Sequence, residues 1–204
     1  MSDQSVQPMN QRIRYWTVRA ALLACVPVIL LGTPVWGPGL ATLLSVLGTL
    51  LVIAAVLYRF WAILYIGGRK NKTVVQDGPY SMSRHPLYFG TTLGALGFGL
   101  MLDSILLAVL LAVLTLTILA ATAAREERFL RAEFGADYEA YAARVRNRVL
   151  PQPGRFSTPD EVIFKPRILR TNLLDALGFL TVIPVVEVLE WLRGTGFSAA
   201  FPIF

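Results

Sequence analysis

The densest chemistry in this sequence lies in one stretch, Asp77-Gly78-Pro79-Tyr80-Ser81-Met82-Ser83-Arg84-His85-Pro86-Leu87-Tyr88-Phe89-Gly90. Arginine is a permanent cation, histidine carries a proton near neutral pH, and tyrosine hydroxyls both donate and accept. Gly78-Pro79 reads as a turn. Pro86 suits the first position of a helix, where no backbone donor is required. The free amides and positive dipole end of that helix would face the loop, and with Arg84 they make a place for a carboxylate. A second constellation is Glu126-Glu127. An ionised carboxylate offers only acceptors, so it can take both hydroxyls of a ribose or attract a cation. Taken singly, both features have plainer explanations. Arg84 and His85 would serve as interfacial anchors, and Glu126-Glu127 as a solvated turn paired with Arg125 and Arg128.

The elements that must position these residues are apolar blocks. The chain has 204 residues, 55% hydrophobic and only 16% charged, with a mean hydropathy of +0.57. A soluble domain carries about a quarter charged residues. Four blocks can cross a bilayer, which takes roughly 20 apolar residues: Trp16 to Val35, Leu40 to Ile66, Leu87 to Leu102 and Ser104 to Ala124. Gly37-Pro38-Gly39 and Asp103 are the only breaks within the first and second pairs, so each pair reads as a tight helical hairpin. The stretch 77–90 then precedes the third block and Glu126-Glu127 follows the fourth, on one side of the membrane.

Charge gives that side a name. The net charge of +6 would permit nucleic-acid binding, but the basic residues flank apolar blocks, and no nucleic-acid partner is expected. Of the nineteen Lys and Arg residues, every one except Arg193 falls on a single side of this map, and the two tight joints hold none. The positive-inside rule puts the N-terminus and the chemistry-bearing loops in the cytoplasm. The N-terminal segment reads as a retained first helix and not as a cleaved signal. Cys25 reads as a buried inert thiol, and a single histidine and single cysteine leave no metal site.

Beyond Ala124 the fourth helix continues into water and is expected to stop at Gly135, with Asp137 capping a second short helix. In that helix Tyr138, Tyr141, Ala142 and Val145 share one face, which packs either on the membrane or on the domain. Arg144, Arg146 and Arg148 suit an anionic lipid surface. Thr158-Pro159-Asp160-Glu161 reads as a helix start limited by Pro166. The block Leu173 to Leu192 is interrupted by Asp175, Pro184, Glu187 and Glu190, and leaves a fifth span, an interfacial helix or a dimer-packing helix open. Arg59, within the second block, reads as snorkelling to the headgroups. Gly94, Gly97 and Gly99 permit close helix packing.

Gly78-Pro79-Tyr80, Arg84-His85-Pro86-Leu87-Tyr88-Phe89-Gly90, Glu126-Glu127, Phe134-Gly135, Tyr138, Tyr141 and Pro151, in this order, resemble the isoprenylcysteine carboxyl methyltransferase family. Phospholipid N-methyltransferases resemble it in the same cofactor module, which covers about Val74 to Pro151. The resemblance implies an all-α integral membrane protein: a four-helix transmembrane core over 1–151, with a cytoplasmic helical cofactor region, and a C-terminal helical extension over 152–204. It implies S-adenosylmethionine held by Gly78, Tyr80, Arg84, His85, Tyr88, Glu126 and Glu127, and a lipid-like acceptor, a prenylcysteine-like carboxylate or phospholipid amine, arriving from the bilayer. An amine acceptor must lose a proton, with His85 or Glu127 as candidate base. The extension runs 53 residues past Pro151, where compact members end. It leaves the acceptor open and leaves room for a homodimer. Two other readings compete: an NADPH-dependent sterol-reductase-like enzyme, which would need more basic partners for the extra phosphate, and a non-catalytic membrane adaptor.

Overall fold

The computed structural model describes residues 32–69, 72–162, 164, 166–194 and 201–203. Most of the first apolar block therefore lies outside the described residues. Its end is not helical. Gly32–Pro34 (β1) is extended and pairs in parallel with Phe201–Ile203 (β2), as suits a glycine, a β-branched residue and a proline that resist helix. Apart from this pair, the regular structure among the described residues is helical.

Helix α1 runs Pro38–Ile66, with Gly37 as its N-cap and Pro38 in its first turn. Its 29 residues reach about 43 Å. A four-residue turn of helix, α2, covers Pro79–Met82, and α3 covers Pro86–Met101. Helix α4 extends from Ile105 to Arg144, its start capped by the Ser104 hydroxyl, which accepts from the Leu107 amide at 3.1 Å. The expected stop at Gly135 is a kink: φ +50°, ψ −121° interrupts the helical geometry, and the chain resumes as helix to Arg144. A 3₁₀ turn at Pro153–Arg155 follows, then α5 (Pro166–Leu180) and α6 (Val182–Gly194). Pro166 thus opens a helix instead of closing one, and Thr158–Glu161 is not helical. Proline has no donor to lose in a first turn, so both placements satisfy it.

Helices α1, α3 and α4 pack side by side. Glycine permits the closest approach: a Cβ on Gly48 would lie 2.5 Å from the Met101 amide nitrogen, and one on Gly97 2.7 Å from the Gly48 carbonyl. Away from these contacts the surface is apolar. Leu43, Val46, Leu50 and Leu57 on α1, and Leu106, Leu110 and Val113 on α4, are exposed. Exposed apolar surface of this extent marks contact with a membrane or with other protein. Helices α1 and α4 are each long and apolar enough to cross a membrane.

The C-terminal extension is part of this packing. Val162 rests on the cluster of Ala62, Tyr65, Val75 and Tyr80, at the end of α1 nearest the chemistry-bearing loop. Val186 is buried with Val52, Met101, Leu102, Leu107 and Leu111, near the other end of α3. Between them the Phe179 ring lies 4.8 Å over the Arg59 guanidinium. Arg59 turns inward instead of snorkelling: it donates to the Leu87 carbonyl and the Thr91 hydroxyl, and its stem fills the space a Cβ on Gly90 would need. The block Leu173 to Leu192 is two helices broken at Thr181.

Candidate functional site

His85 is the N-cap of α3, and Pro86 begins the helix behind it. The loop that delivers His85 is fixed by a crossing strap. The Arg84 and His85 amides donate to the carbonyls of Asn147 (3.0 Å) and Arg148 (2.8 Å), and the Gln152 amide donates to the Met82 carbonyl (3.1 Å). Gly78 takes φ +59°, and a Cβ there would meet the Tyr65 ring at 2.4 Å, so only glycine fits. Its amide donates to the Ser157 carbonyl at 2.8 Å.

The two sequence constellations meet. Glu127, fully buried in the cytoplasm-expected half of α4, accepts from Arg84 Nε at 2.9 Å and from Arg148 Nε at 3.2 Å. His85 lies between the acidic pair, its Nδ1 3.5 Å from Glu126 and its Nε2 3.5 Å from Glu127. Glu126 also accepts the Tyr88 hydroxyl at 2.7 Å, and the His85 and Tyr88 rings stack with centroids 5.2 Å apart. Arg84 further donates to the carbonyls of Val145 and Arg146, which draws the end of α4 onto the loop. The acidic pair thus meets Arg84, Arg148, His85 and Tyr88, from distant parts of the chain.

The electrostatics follow from these distances. Burial alone would raise the Glu127 carboxyl, but the His85 and Arg84 hydrogen bonds and the Arg84 and Arg148 charges bring it down to about 2. Burial alone would lower His85, but the two facing carboxylates outweigh it and hold its pKa above the ordinary 6.5. Burial pushes the Tyr80 phenol well above its usual range, so it stays protonated.

Several hydroxyls in this region, those of Tyr58, Tyr80, Ser83 and Tyr138, are buried with no partner at close hydrogen-bond geometry. Buried polar groups are normally satisfied, so such a cluster calls for a ligand or water. Beside it, a cleft of about 410 Å³ opens between Lys72–Gln76 and the far part of α4, lined by Thr73, Phe134, Asp137, Tyr141 and Arg144. Tyr141 forms the wall between cleft and cluster, its hydroxyl donating to the Tyr80 carbonyl at 2.9 Å. Tyr138, Tyr141 and Val145 pack on Val74, Leu130 and Phe134, so that stripe faces the domain and not the membrane.

Residues 36–137, half of the chain, match the family described as phospholipid methyltransferase. The chain belongs to the phospholipid methyltransferase family. That family is related to the isoprenylcysteine methyltransferases. Two relatives are similar over most of the chain. The cobalt-zinc-cadmium resistance protein CzcN of Cupriavidus metallidurans is 31% identical over 96% of both chains. The nickel-cobalt-cadmium resistance protein NccN of Alcaligenes xylosoxydans xylosoxydans is 36% identical over 75% of this chain and 70% of that protein. No solved structure matches.

All seven residues singled out in the sequence are near one another: Gly78 and Tyr80 shape the loop, and Arg84, His85, Tyr88, Glu126 and Glu127 form one contact network. Sequence reasoning missed Arg148, which it assigned to the lipid surface, and the buried hydroxyls of Tyr58, Ser83 and Tyr138. No local signal distinguishes Arg148 from Arg146, because only the strap's path decides which of the two turns inward.

Proposed function

We propose that this family member transfers a methyl group from S-adenosylmethionine to a membrane-partitioned acceptor, at the bilayer face where the His85–Glu126–Glu127 network lies. The observation that carries the reading is the convergence of the loop before α3 with the acidic pair of α4 around buried hydroxyls. These donor and acceptor types fit a charged nucleoside. Glu126, 35% exposed, suits ribose hydroxyls, and the cleft beside Tyr141 has the volume of a small-molecule site. Arg84, Gly78, Tyr80, His85 and Tyr88 would complete the binding surface, with Glu127 holding Arg84 and His85 in place.

The cofactor supplies an activated methyl on a sulfonium, so the protein's own work is alignment and exclusion of water. Glu127 is a weak base, pinned by cations with its carboxyl near 2. His85 is biased towards its protonated form. The network therefore positions groups more readily than it removes protons. The acceptor would come from the lipid, as the apolar exteriors of α1 and α4 suggest. The distribution of basic residues supports a cytoplasmic location for the site.

The relatives' names place those proteins in metal resistance. One histidine and one cysteine in the sequence are too few for a multi-thiolate or multi-imidazole site, so a shared role of this chain would act through membrane chemistry and not by sequestering the ion. The test is calorimetric titration of the detergent-purified protein with S-adenosylhomocysteine and with NADPH. Binding of the former alone is expected, with Glu126→Gln weakening it about tenfold (one polar contact, about 1.4 kcal/mol). NADPH binding would replace this reading with a reductase, and binding of neither would leave an adaptor.

A further inference from the structure

The strap that crosses the site has an outer side that the site does not use. Along α1 the exposed large apolar residues end at Leu57, and the aromatic residues Tyr58, Trp61 and Tyr65 follow. Tryptophan and tyrosine gather at the headgroup level of a membrane helix. Residues 156–162 lie at that same level. The Phe156 ring is 5.7 Å from the Trp61 ring, the Thr158 hydroxyl is 2.8 Å from the Tyr65 hydroxyl, and Val162 rests on the cluster of Ala62 and Tyr65. The strap and its continuation nevertheless leave three large apolar side chains uncovered: Leu150 (56% exposed), Phe156 (47%) and Phe164 (43%).

Charge points to the occupant. Residues 144–170 carry seven lysine and arginine residues against Asp160 and Glu161. Arg148 reaches inward to Glu127, but Arg146, Arg155, Arg167 and Arg170 are exposed and interleave in sequence with the uncovered leucine and phenylalanines. Rings that enter the acyl boundary between cations that meet phosphates suit an anionic leaflet. A second copy of the chain would set the same positive excess against its own. We propose that Arg146, Leu150, Arg155, Phe156, Phe164 and Arg170 form a docking surface for anionic phospholipid headgroups, and that docking tightens the site. The coupling runs through hydrogen bonds already formed. The Gly78 amide donates to the Ser157 carbonyl, the Ser157 amide to the Ser81 hydroxyl, and the Gln152 amide to the Met82 carbonyl. A strap held on the leaflet therefore holds the loop that delivers Arg84 and His85, and keeps Arg148 on Glu127. The coupling rests on the methyltransferase reading and makes that site responsive to leaflet charge.

The test places the full chain in nanodiscs of phosphatidylcholine, with or without phosphatidylglycerol. In one arm Phe164→Cys, in a Cys25→Ser background, carries a nitrobenzoxadiazole label. Its emission is expected to shift to the blue in the anionic discs and to shift back in high salt, which screens exposed charge. In the other arm the unlabelled chain is titrated with S-adenosylhomocysteine. Affinity should rise about fivefold in the anionic discs, the worth of one arginine at such a surface. Phe164→Ser with Arg170→Gln should remove most of that gain and leave the affinity in phosphatidylcholine unchanged. Glycerophosphate, the soluble headgroup, should give no gain. An unshifted label in anionic discs would overturn the docking. A blue shift that follows protein concentration in phosphatidylcholine would assign this face to a second copy and overturn the lipid as its occupant. A shift without a change in S-adenosylhomocysteine affinity would overturn the coupling. Absence of S-adenosylhomocysteine binding in both discs would sink the methyltransferase reading and the coupling with it, while the label still decides the docking.

Discussion

Glu127 is the residue on which the site's geometry turns. It is a fully buried carboxylate with Arg84, Arg148 and His85 around it. Removing one partner of such a pair leaves the others uncompensated, at a cost of about 3–5 kcal/mol. Glu127→Gln is therefore expected to lower the thermal midpoint in detergent by many degrees and to release the strap at Asn147–Gln152. A midpoint unchanged within a degree would contradict the clamp. The pH dependence follows from the two shifts. Glu127 is depressed, so its contribution is complete above the ordinary value of 4.5 and disappears as pH falls towards 2. His85 is raised, so its contribution is complete below 6.5 and disappears as pH rises through its higher folded value. Thermal midpoints measured across pH should peak between these limits, and His85→Gln should flatten the alkaline limb and, because the His85 contact helps to depress Glu127, weaken the acid limb as well. At this scale the sequence was readable where residue type is constrained: Arg84, His85, Tyr88, Glu126 and Glu127 are rare charged or titratable groups at the ends of apolar blocks. Ser83 and Tyr58 were not, because burial is a property of the assembled helices.

At the scale of elements, the helices with unbroken apolar runs were legible, and the broken ones were not. The blocks Leu40 to Ile66 and Leu87 to Leu102 correspond to α1 and α3 within a residue or two, with Pro38 and Pro86 opening them. Leu173 to Leu192 looked like one interrupted block, whereas the chain breaks at Thr181 and starts afresh ahead of Pro184. Pro166 was ambiguous because the same residue can stop one helix or begin another. Two glycines separate strain from contact. Gly135 has a positive φ with open space around it, while Gly78 has a positive φ and the Tyr65 ring against it. Gly135→Ala should cost only backbone strain, on the order of 1–3 kcal/mol. Gly78→Ala should displace Tyr65 and the loop carrying His85, with the larger loss of thermal stability and of S-adenosylhomocysteine affinity. Equal effects in melting and titration would show that the Tyr65 contact does not hold the loop.

At the scale of the whole molecule, the extension runs along α1 from the site end towards the opposite end. Thr158 meets the Tyr65 hydroxyl at 2.8 Å near the site end of α1. Phe179 meets Arg59 farther along, Val186 meets Val52 and Met101, and Phe201–Ile203 pairs with Gly32–Pro34, which precedes the opposite end of α1. A chain that starts at one end of a helix of about 43 Å and finishes beside its other end has travelled the thickness of a bilayer. A bilayer crossed by α1 would place Arg59, Phe179 and the break at Thr181 at membrane depth, where irregular backbone persists only when it is covered by protein. The site and the C-terminus should accordingly lie on opposite faces. Alkaline phosphatase fused after Phe204 should be active outside the cytoplasm, and a fluorescent protein at the same place should stay dark. A cysteine introduced at exposed Arg155 should react with a membrane-impermeant maleimide only after the membrane is opened. A bright C-terminal fluorescent fusion would mean that α5 and α6 fold back to the site's own face. The packing of Val186 on Val52 would then not hold in the membrane.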